Sequence, residues 1–354
     1  MTYTMRQARD MIEHAIENPL GNGQHRVIYL EGDPGIGKTA LHRSVFEKYR
    51  RTSQRPDGFT HFIPFIAPER EPTDIGGLPM PNETRTGVRM LPLEDLQFSS
   101  GDRPYIFFDE IDKAISMMQN AIGRVMHEQT ICDTPLPTGT FIAAAGNLMT
   151  NRAGSVVANT HIKNRRTHVP VNVAPLEWIE DVAIPFGIHP SVVSYIRIDP
   201  EMLHKFDASA PSFPSPRSWT KVGLALNTPM PDHVERAFIE GDIGTDAANV
   251  FHGHLKMYHG LRKPEEFIGN PKGIELPKGT NKVAIMYCEV TMLAKHANPQ
   301  NCDAVFTYFS RLPGEYGFIG FRDVMQRRKE LFAASKVGQA WFIANATTLK
   351  ATAS

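Results

Sequence analysis

The sequence predicts an α/β fold, a parallel sheet flanked by helices, that gives way after about residue 175 to helices alone. Three observations predict it. A short apolar run, Val27 to Leu30, enters a glycine-rich turn and then a segment with apolar residues at helical spacing. Two more unbroken apolar runs, Tyr105–Phe108 and Phe141–Ala145, read as strands buried on both faces. From Pro175 onward, apolar stripes at helical spacing are separated by proline and glycine turns.

The elements follow in order. Met5, Ala8, Met11, Ile12, Ala15 and Ile16 form one helical stripe over residues 3 to 17, which Pro19-Leu20-Gly21-Asn22-Gly23 ends. After the first strand comes Gly32-Asp33-Pro34-Gly35-Ile36-Gly37-Lys38-Thr39, the pattern G-x-x-x-x-G-K-[ST] of a phosphate-binding loop. Its glycines let successive N–H groups face a polyphosphate, and the helix that opens at Lys38-Thr39-Ala40 adds its positive N-terminal dipole. Residues 32 to 40 are therefore the predicted ATP cradle. Lys38 would reach the β and γ phosphates, and Thr39 would ligate Mg²⁺. Leu41, Val45, Phe46 and Tyr49 give the helix its buried face.

Residues 60 to 67 predict a second strand, with Pro64 inside it. A proline- and glycine-rich loop over residues 68 to 79 follows, with Asp74 as its candidate helix cap. Thr86-Gly87 marks a hairpin or projecting loop within residues 83 to 92. The strand 105–108 closes on Asp109-Glu110, where a parallel strand presents its C-terminal end to a ligand. Asp109 is the candidate Mg²⁺ ligand, and Glu110 the candidate base that positions and deprotonates an attacking water. Ala114, Met118, Ala121, Ile122 and Val125 predict the next helix. The strand 141–145 ends in Gly146-Asn147, and the Asn147 amide is a candidate to orient that water. Val169–Val173 predicts the last strand. Helices are expected over residues 178–183, 190–196, 216–226, 246–261, 282–297, 304–312 and 321–332. The predicted organisation is a nucleotide-binding core (1–175), an α-helical lid (176–272) and a helical C-terminal extension (273–354).

Composition narrows the function. The chain has 38 Lys and Arg against 38 Asp and Glu, so no global charge directs it to nucleic acid or an anionic membrane. Cys132, Cys288 and Cys302 form no C-x-x-C pair and are too few for a disulfide framework. The first residues lack a signal-peptide core, and no run is long enough to span a membrane, so a cytoplasmic protein is expected. His252, His254 and His259 lie close together, but the H-x-H spacing sends the first two to different helix faces. No metal site is predicted there, and Trp178, Trp219 and Trp341 are expected to pack in cores.

These motifs resemble the AAA+ ATPases and, within them, the MoxR family. The resemblance covers about residues 5 to 225. It rests on Gly32–Thr39 as Walker A, Phe107–Ala114 as Walker B, Ala143–Asn147 as sensor 1, Asn164-Arg165 as an arginine-finger site and Ser215-Pro216-Arg217-Ser218-Trp219 as sensor 2. The loop Pro72–Gly77 is similar to the MoxR pattern as well. Such a resemblance implies a P-loop AAA+ core with a helical lid, hydrolysing ATP with Mg²⁺ as a homo-oligomeric ring, a hexamer. It implies a chaperone-like role toward a protein client, with a von Willebrand factor A domain protein as partner. Arg217 would sense the γ phosphate of its own subunit, and Arg165 would act on the neighbour's nucleotide. Arg165 is followed by Arg166 where the family carries an aromatic, so Arg166 and Arg152 remain further finger candidates. The alternative is an AAA+ nucleic-acid motor or clamp loader, for which Arg85 and Arg89 on the projecting loop are the only hint. A scaffold that binds ATP without cleaving it fits less well with Asp109, Glu110 and Arg165 all present.

Overall fold

The computed structural model describes residues 1–21, 23–147 and 164–353, with side chains as far as residue 345. They form two compact units, Met1–Val173 and Ala174–Ser354.

The first unit is built on a six-stranded sheet. Its strands are β1 (Tyr3–Thr4), β2 (Ile28–Glu31), β3 (His61–Ile66), β6 (Pro104–Asp109), β9 (Phe141–Gly146) and β10 (Thr167–Asn172). Two small hairpins, β4 (Leu78–Pro81) with β5 (Val88–Leu91) and β7 (Thr130–Ile131) with β8 (Thr134–Pro135), account for the remaining numbers. The sheet order is β1-β10-β2-β9-β6-β3, and every neighbouring pair is parallel. The loop after β2 and the carboxylates after β6 are therefore not on adjacent strands. The strand that ends at Gly146 lies between them.

Side-chain alternation explains why the strands are apolar throughout. Ile28, Leu30, Tyr105, Phe107, Phe141, Ala143 and Ala145 face one layer, in which helices α1 (Met5–Glu17) and α2 (Lys38–Tyr49) bury Ile12, Ile16, Val45 and Phe46. The residues between them, Tyr29, Ile106, Phe108, Ile142 and Ala144, face the other layer, where Met118, Ile122 and Val125 arrive from α4 (Ser116–Glu128). Both faces are covered, as an all-parallel sheet requires. Pro64 lies in the edge strand β3, which pairs only with β6, where proline is tolerated.

The expected elements of this unit are present, with local differences. Residues 3 and 4 leave the predicted helix to form β1, and Thr4 caps α1 through a reciprocal box with Gln7. Asp74 is not the cap of the short helix α3 (Pro72–Gly76). Glu71 holds that position, and the Asp74 carboxylate returns to the Glu71 N–H at 3.2 Å. The hairpin turn spans residues 82–87, with Arg85 in the left-handed region at φ 57°.

The second unit is helical. Its helices include Pro190–Ile198, Pro216–Ala225, Thr245–His259, Lys282–His296, Cys302–Phe309 and Gly314–Arg327. The predicted 321–332 helix is two, Gly314–Arg327 and Glu330–Ala334, and the predicted 178–183 helix is a short turn, Pro175–Trp178, running into a π-turn, Ile179–Ala183. Helices over Asp232–Ile243, Pro264–Gly269 and Lys336–Ala353 were not anticipated.

Lys282–His296 packs against both Pro190–Ile198 and Gly314–Arg327, so helices of the predicted lid and extension share one core. A buried ion pair ties them. Arg197 donates to both Asp323 oxygens, at 2.6 and 2.8 Å, and to Thr291 Oγ1 at 2.8 Å. Trp219 is fully buried and donates to the Met202 carbonyl, and Trp341 stacks on Phe321 at 4.3 Å, so both serve packing. No described helix is long and apolar enough to cross a membrane.

Candidate functional site

Because all strands of the sheet run in parallel, Glu31, Asp109 and Gly146 finish at the same edge. That edge is where open α/β sheets bind ligands. The phosphate-binding loop leaves it as a turn over Pro34–Ile36, with Gly35 at φ 80° and Gly37 at φ 104°. Side chains with a Cβ resist both values. Gly32 is needed for another reason. A Cβ there would stand 2.8 Å from the Val171 carbonyl and 2.7 Å from Ile36, which is buried beneath the loop. Ala40 is exposed on the first turn of α2.

Lys38 is 8% exposed and folds back along the loop. Its ammonium donates to the carbonyls of Gly32 and Asp33 at 2.7 and 2.9 Å and to Asn147 Oδ1 at 3.4 Å. Beside it, Thr39 Oγ1 donates to Asp109 Oδ2 at 2.6 Å, bringing together a hydroxyl and a carboxylate 70 residues apart in sequence. Two hard oxygen donors in contact, next to an ammonium, suit a small divalent cation shared with phosphate oxygens. The residues therefore fit Mg²⁺.

Glu110 follows Asp109 with a change of backbone direction. It lies in the left-handed region at φ 53°, ψ 38°, a conformation that costs a side-chain-bearing residue roughly 1–2 kcal/mol. Such strain concentrates at functional sites. The Asp109 side chain braces the turn by accepting the Glu110 N–H at 2.9 Å, and the partly exposed Glu110 carboxylate pairs with Lys113 at 2.8 Å. Asn147 is half-buried at the end of β9 and touches both Lys38 and Asp112. Sequence reasoning passed over Asp112, which recurs three residues after Asp109 and is 3% exposed. The signal available was a further carboxylate in the turn that follows the Asp109-Glu110 pair.

The arginines divide. Arg165 is half-buried and donates to the Gly123 carbonyl on α4 at 3.0 Å. Arg166 is turned into its own unit, its guanidinium carbon 3.5 Å over the Tyr29 ring, and burial lowers its pKa. Arg152 lies outside the described residues. Arg217 belongs to the second unit, exposed on the first turn of Pro216–Ala225, where Ser215 and Ser218 form a reciprocal capping box.

The structure thus gathers Lys38, Thr39, Asp109, Glu110 and Asn147 at one sheet edge. No cluster of three metal-ligating side chains occurs among the described residues. His254 instead bonds Ser194 at 3.0 Å, next to Cys288. Burial pushes His254 down to about 4 and the Cys288 thiol up to about 12, so both are neutral packing groups at physiological pH.

No family description matches the chain, and no curated protein does. Among solved structures it is similar to the RuvB Holliday junction branch migration motor of Thermotoga maritima, at 14% identity over 79% of this chain and 80% of that one, TM-score 0.39. It is also similar to a putative ATPase from Cytophaga hutchinsonii, at 15% identity over 89% and 79% of the two chains, TM-score 0.33. NtrX from Brucella abortus matches at 15% identity over 74% of this chain and 52% of that one, TM-score 0.34.

Proposed function

We propose that the chain is a Mg²⁺-dependent ATPase of the AAA+ type, MoxR-like, that works as a ring and remodels a protein client. The observation that carries the hydrolytic part is the 2.6 Å contact between Thr39 and Asp109 beside Lys38 and Asn147. A phosphate cradle alone would bind; a carboxylate at the cation position with a second carboxylate following it also provides for cleavage.

In this reading the loop N–H groups and Lys38 hold the β and γ phosphates. Thr39 and Asp109 would hold Mg²⁺, which when bound would supply neutralising charge to those oxygens. Glu110 leaves Lys113 to accept a proton from water, whose oxygen bonds the γ phosphorus as the bond to the β-phosphate oxygen breaks. ADP and phosphate leave. Asn147 orients the water through its amide.

Arg165, held by a bond to the Gly123 carbonyl, is the preferred finger over Arg166, whose guanidinium is stacked on Tyr29. Arg217, carried by the lid, is assigned to the γ phosphate of the same subunit. Two half-defective proteins test the shared site. Arg165→Ala is expected to bind ATP normally yet lose about 10³-fold in turnover, the scale of an absent arginine finger. Mixing it with Lys38→Ala, which keeps an intact Arg165, is expected to restore turnover. No recovery on mixing contradicts action between subunits.

A further inference from the structure

Asp112 has no part in the scheme above, yet it is the buried carboxylate that touches the site. It sits in the turn Ile111–Lys113 directly after Glu110. Its Oδ1 accepts from the Asn147 backbone N–H at 3.0 Å, and its Oδ2 accepts from the Asn147 side-chain Nδ2 at 3.4 Å. This approach depends on the residue before Asn147. A Cβ on Gly146 would stand 2.7 Å from Asp112 Oδ1 and 2.1 Å from the Tyr29 hydroxyl. Position 146 must be glycine for the strand end to close on the carboxylate. Arg166, stacked on that same Tyr29, lies within electrostatic reach of Asp112.

The contacts also fix a polarity. An asparagine amide has an acceptor oxygen at one branch and a two-donor nitrogen at the other, nearly identical in shape. An ammonium can only donate, and an ionised carboxylate can only accept. Asn147 stands between the two, with Oδ1 toward Lys38 at 3.4 Å and Nδ2 toward Asp112 at 3.4 Å. Reversing the amide would set nitrogen against the ammonium and oxygen against the carboxylate. Both bonds would become repulsions.

We propose that Asp112 is a positioning residue of the nucleotide site: it sets which way the Asn147 amide faces, leaving the second amide proton free for the attacking water or the γ phosphate. The proposal rests on the hydrolytic reading of Asn147. A merely structural Asp112 would need only the backbone N–H of Asn147. The assigned role needs the side-chain contact.

Asp112→Asn separates the two. It preserves shape and can still accept the Asn147 backbone N–H, but its own NH₂ then faces the Asn147 NH₂. The variant is expected to bind a non-hydrolysable ATP analogue within about threefold of wild type while kcat falls about 10- to 100-fold. Asn147→Ala should fall by a similar factor. The double variant should match Asn147→Ala within about twofold, because the effect of Asp112 passes through Asn147. Full kcat in Asp112→Asn, or losses that multiply in the double variant, overturns the assignment.

A second measurement does not depend on turnover. The Asn147 side-chain amide signals, identified by their loss in Asn147→Ala, should exchange with solvent at least about tenfold more slowly in wild type than in Asp112→Asn. Equal exchange overturns the assignment. If Asp112→Asn does not fold, wild type alone decides: exchange as fast as that of the exposed Asn281 side chain overturns it. If wild type binds ATP and never cleaves it, the hydrolytic reading fails, and the exchange comparison still rules for or against the hold of Asp112 on the amide.

Discussion

Glu110→Gln is expected to bind ATP as wild type does and to cleave it about 10²- to 10⁴-fold more slowly, the usual contribution of a positioned general base. The substitution keeps the shape of the side chain and its ability to accept from Lys113, now at 2.8 Å, so the turn at φ 53° has no new reason to move. What disappears is the basic oxygen. Phosphate release and analogue binding, measured on the same preparation, separate the two effects. Near-normal turnover would remove Glu110 from the base role and leave the strained turn without an assigned purpose. Because the variant holds ATP without spending it, it is also the form with which to capture the client, by affinity isolation in the presence of ATP.

Lys38→Ala is expected to act one step earlier. Its ammonium is the one charged donor that the loop itself contributes, and charge-assisted hydrogen bonds are worth roughly 1.5–3 kcal/mol each. Losing one to each of two phosphates would weaken ATP binding by about two to four orders of magnitude. The variant also strips the donor from the Gly32 and Asp33 carbonyls and from Asn147 Oδ1, so the loop loses its internal tie as well. Titration with a fluorescent nucleotide reads the change directly. Unchanged affinity would mean that the loop does not cradle phosphate through Lys38.

Much of the first unit is legible in the sequence because one physical rule covers it. A parallel sheet buried on both faces demands apolar strands, and Tyr105–Phe108 and Phe141–Ala145 are apolar without interruption. Polar residues at the ends of such strands have few reasons to be there other than a ligand, which is how Asp109, Glu110 and Asn147 stand out. The loop is legible for a related reason. The fixed glycines at 32 and 37 answer to the backbone path, Gly32 by its close approach to Val171 and Gly37 by its positive φ.

The misses have physical causes too. The helix Asp232–Ile243 buries only Ile239 and Ile243, a stripe too thin to announce itself by periodicity. Over residues 336–345, Lys336–Ala353 alternates apolar and small or polar residues with no clear helical stripe in the sequence. The split near residue 328 was hidden because Phe321, Val324, Leu331 and Phe332 all enter one core across the break. The role of Asp112 and the packing of Arg166 on Tyr29 were not legible for another reason. Each acts through a partner distant in sequence, Asn147 for one and Tyr29 for the other, and spacing along the chain carries no trace of those contacts.

The account stands on Thr39 and Asp109 forming a cation site that makes the bound triphosphate cleavable. Phosphate release from ATP by the wild-type chain, with Mg²⁺ and again after EDTA, tests this most directly. The expected result is steady release of many phosphates per subunit with Mg²⁺ and, after EDTA, release no faster than that of Glu110→Gln. Tight ATP binding with no release under either condition, or release indifferent to EDTA, would contradict it.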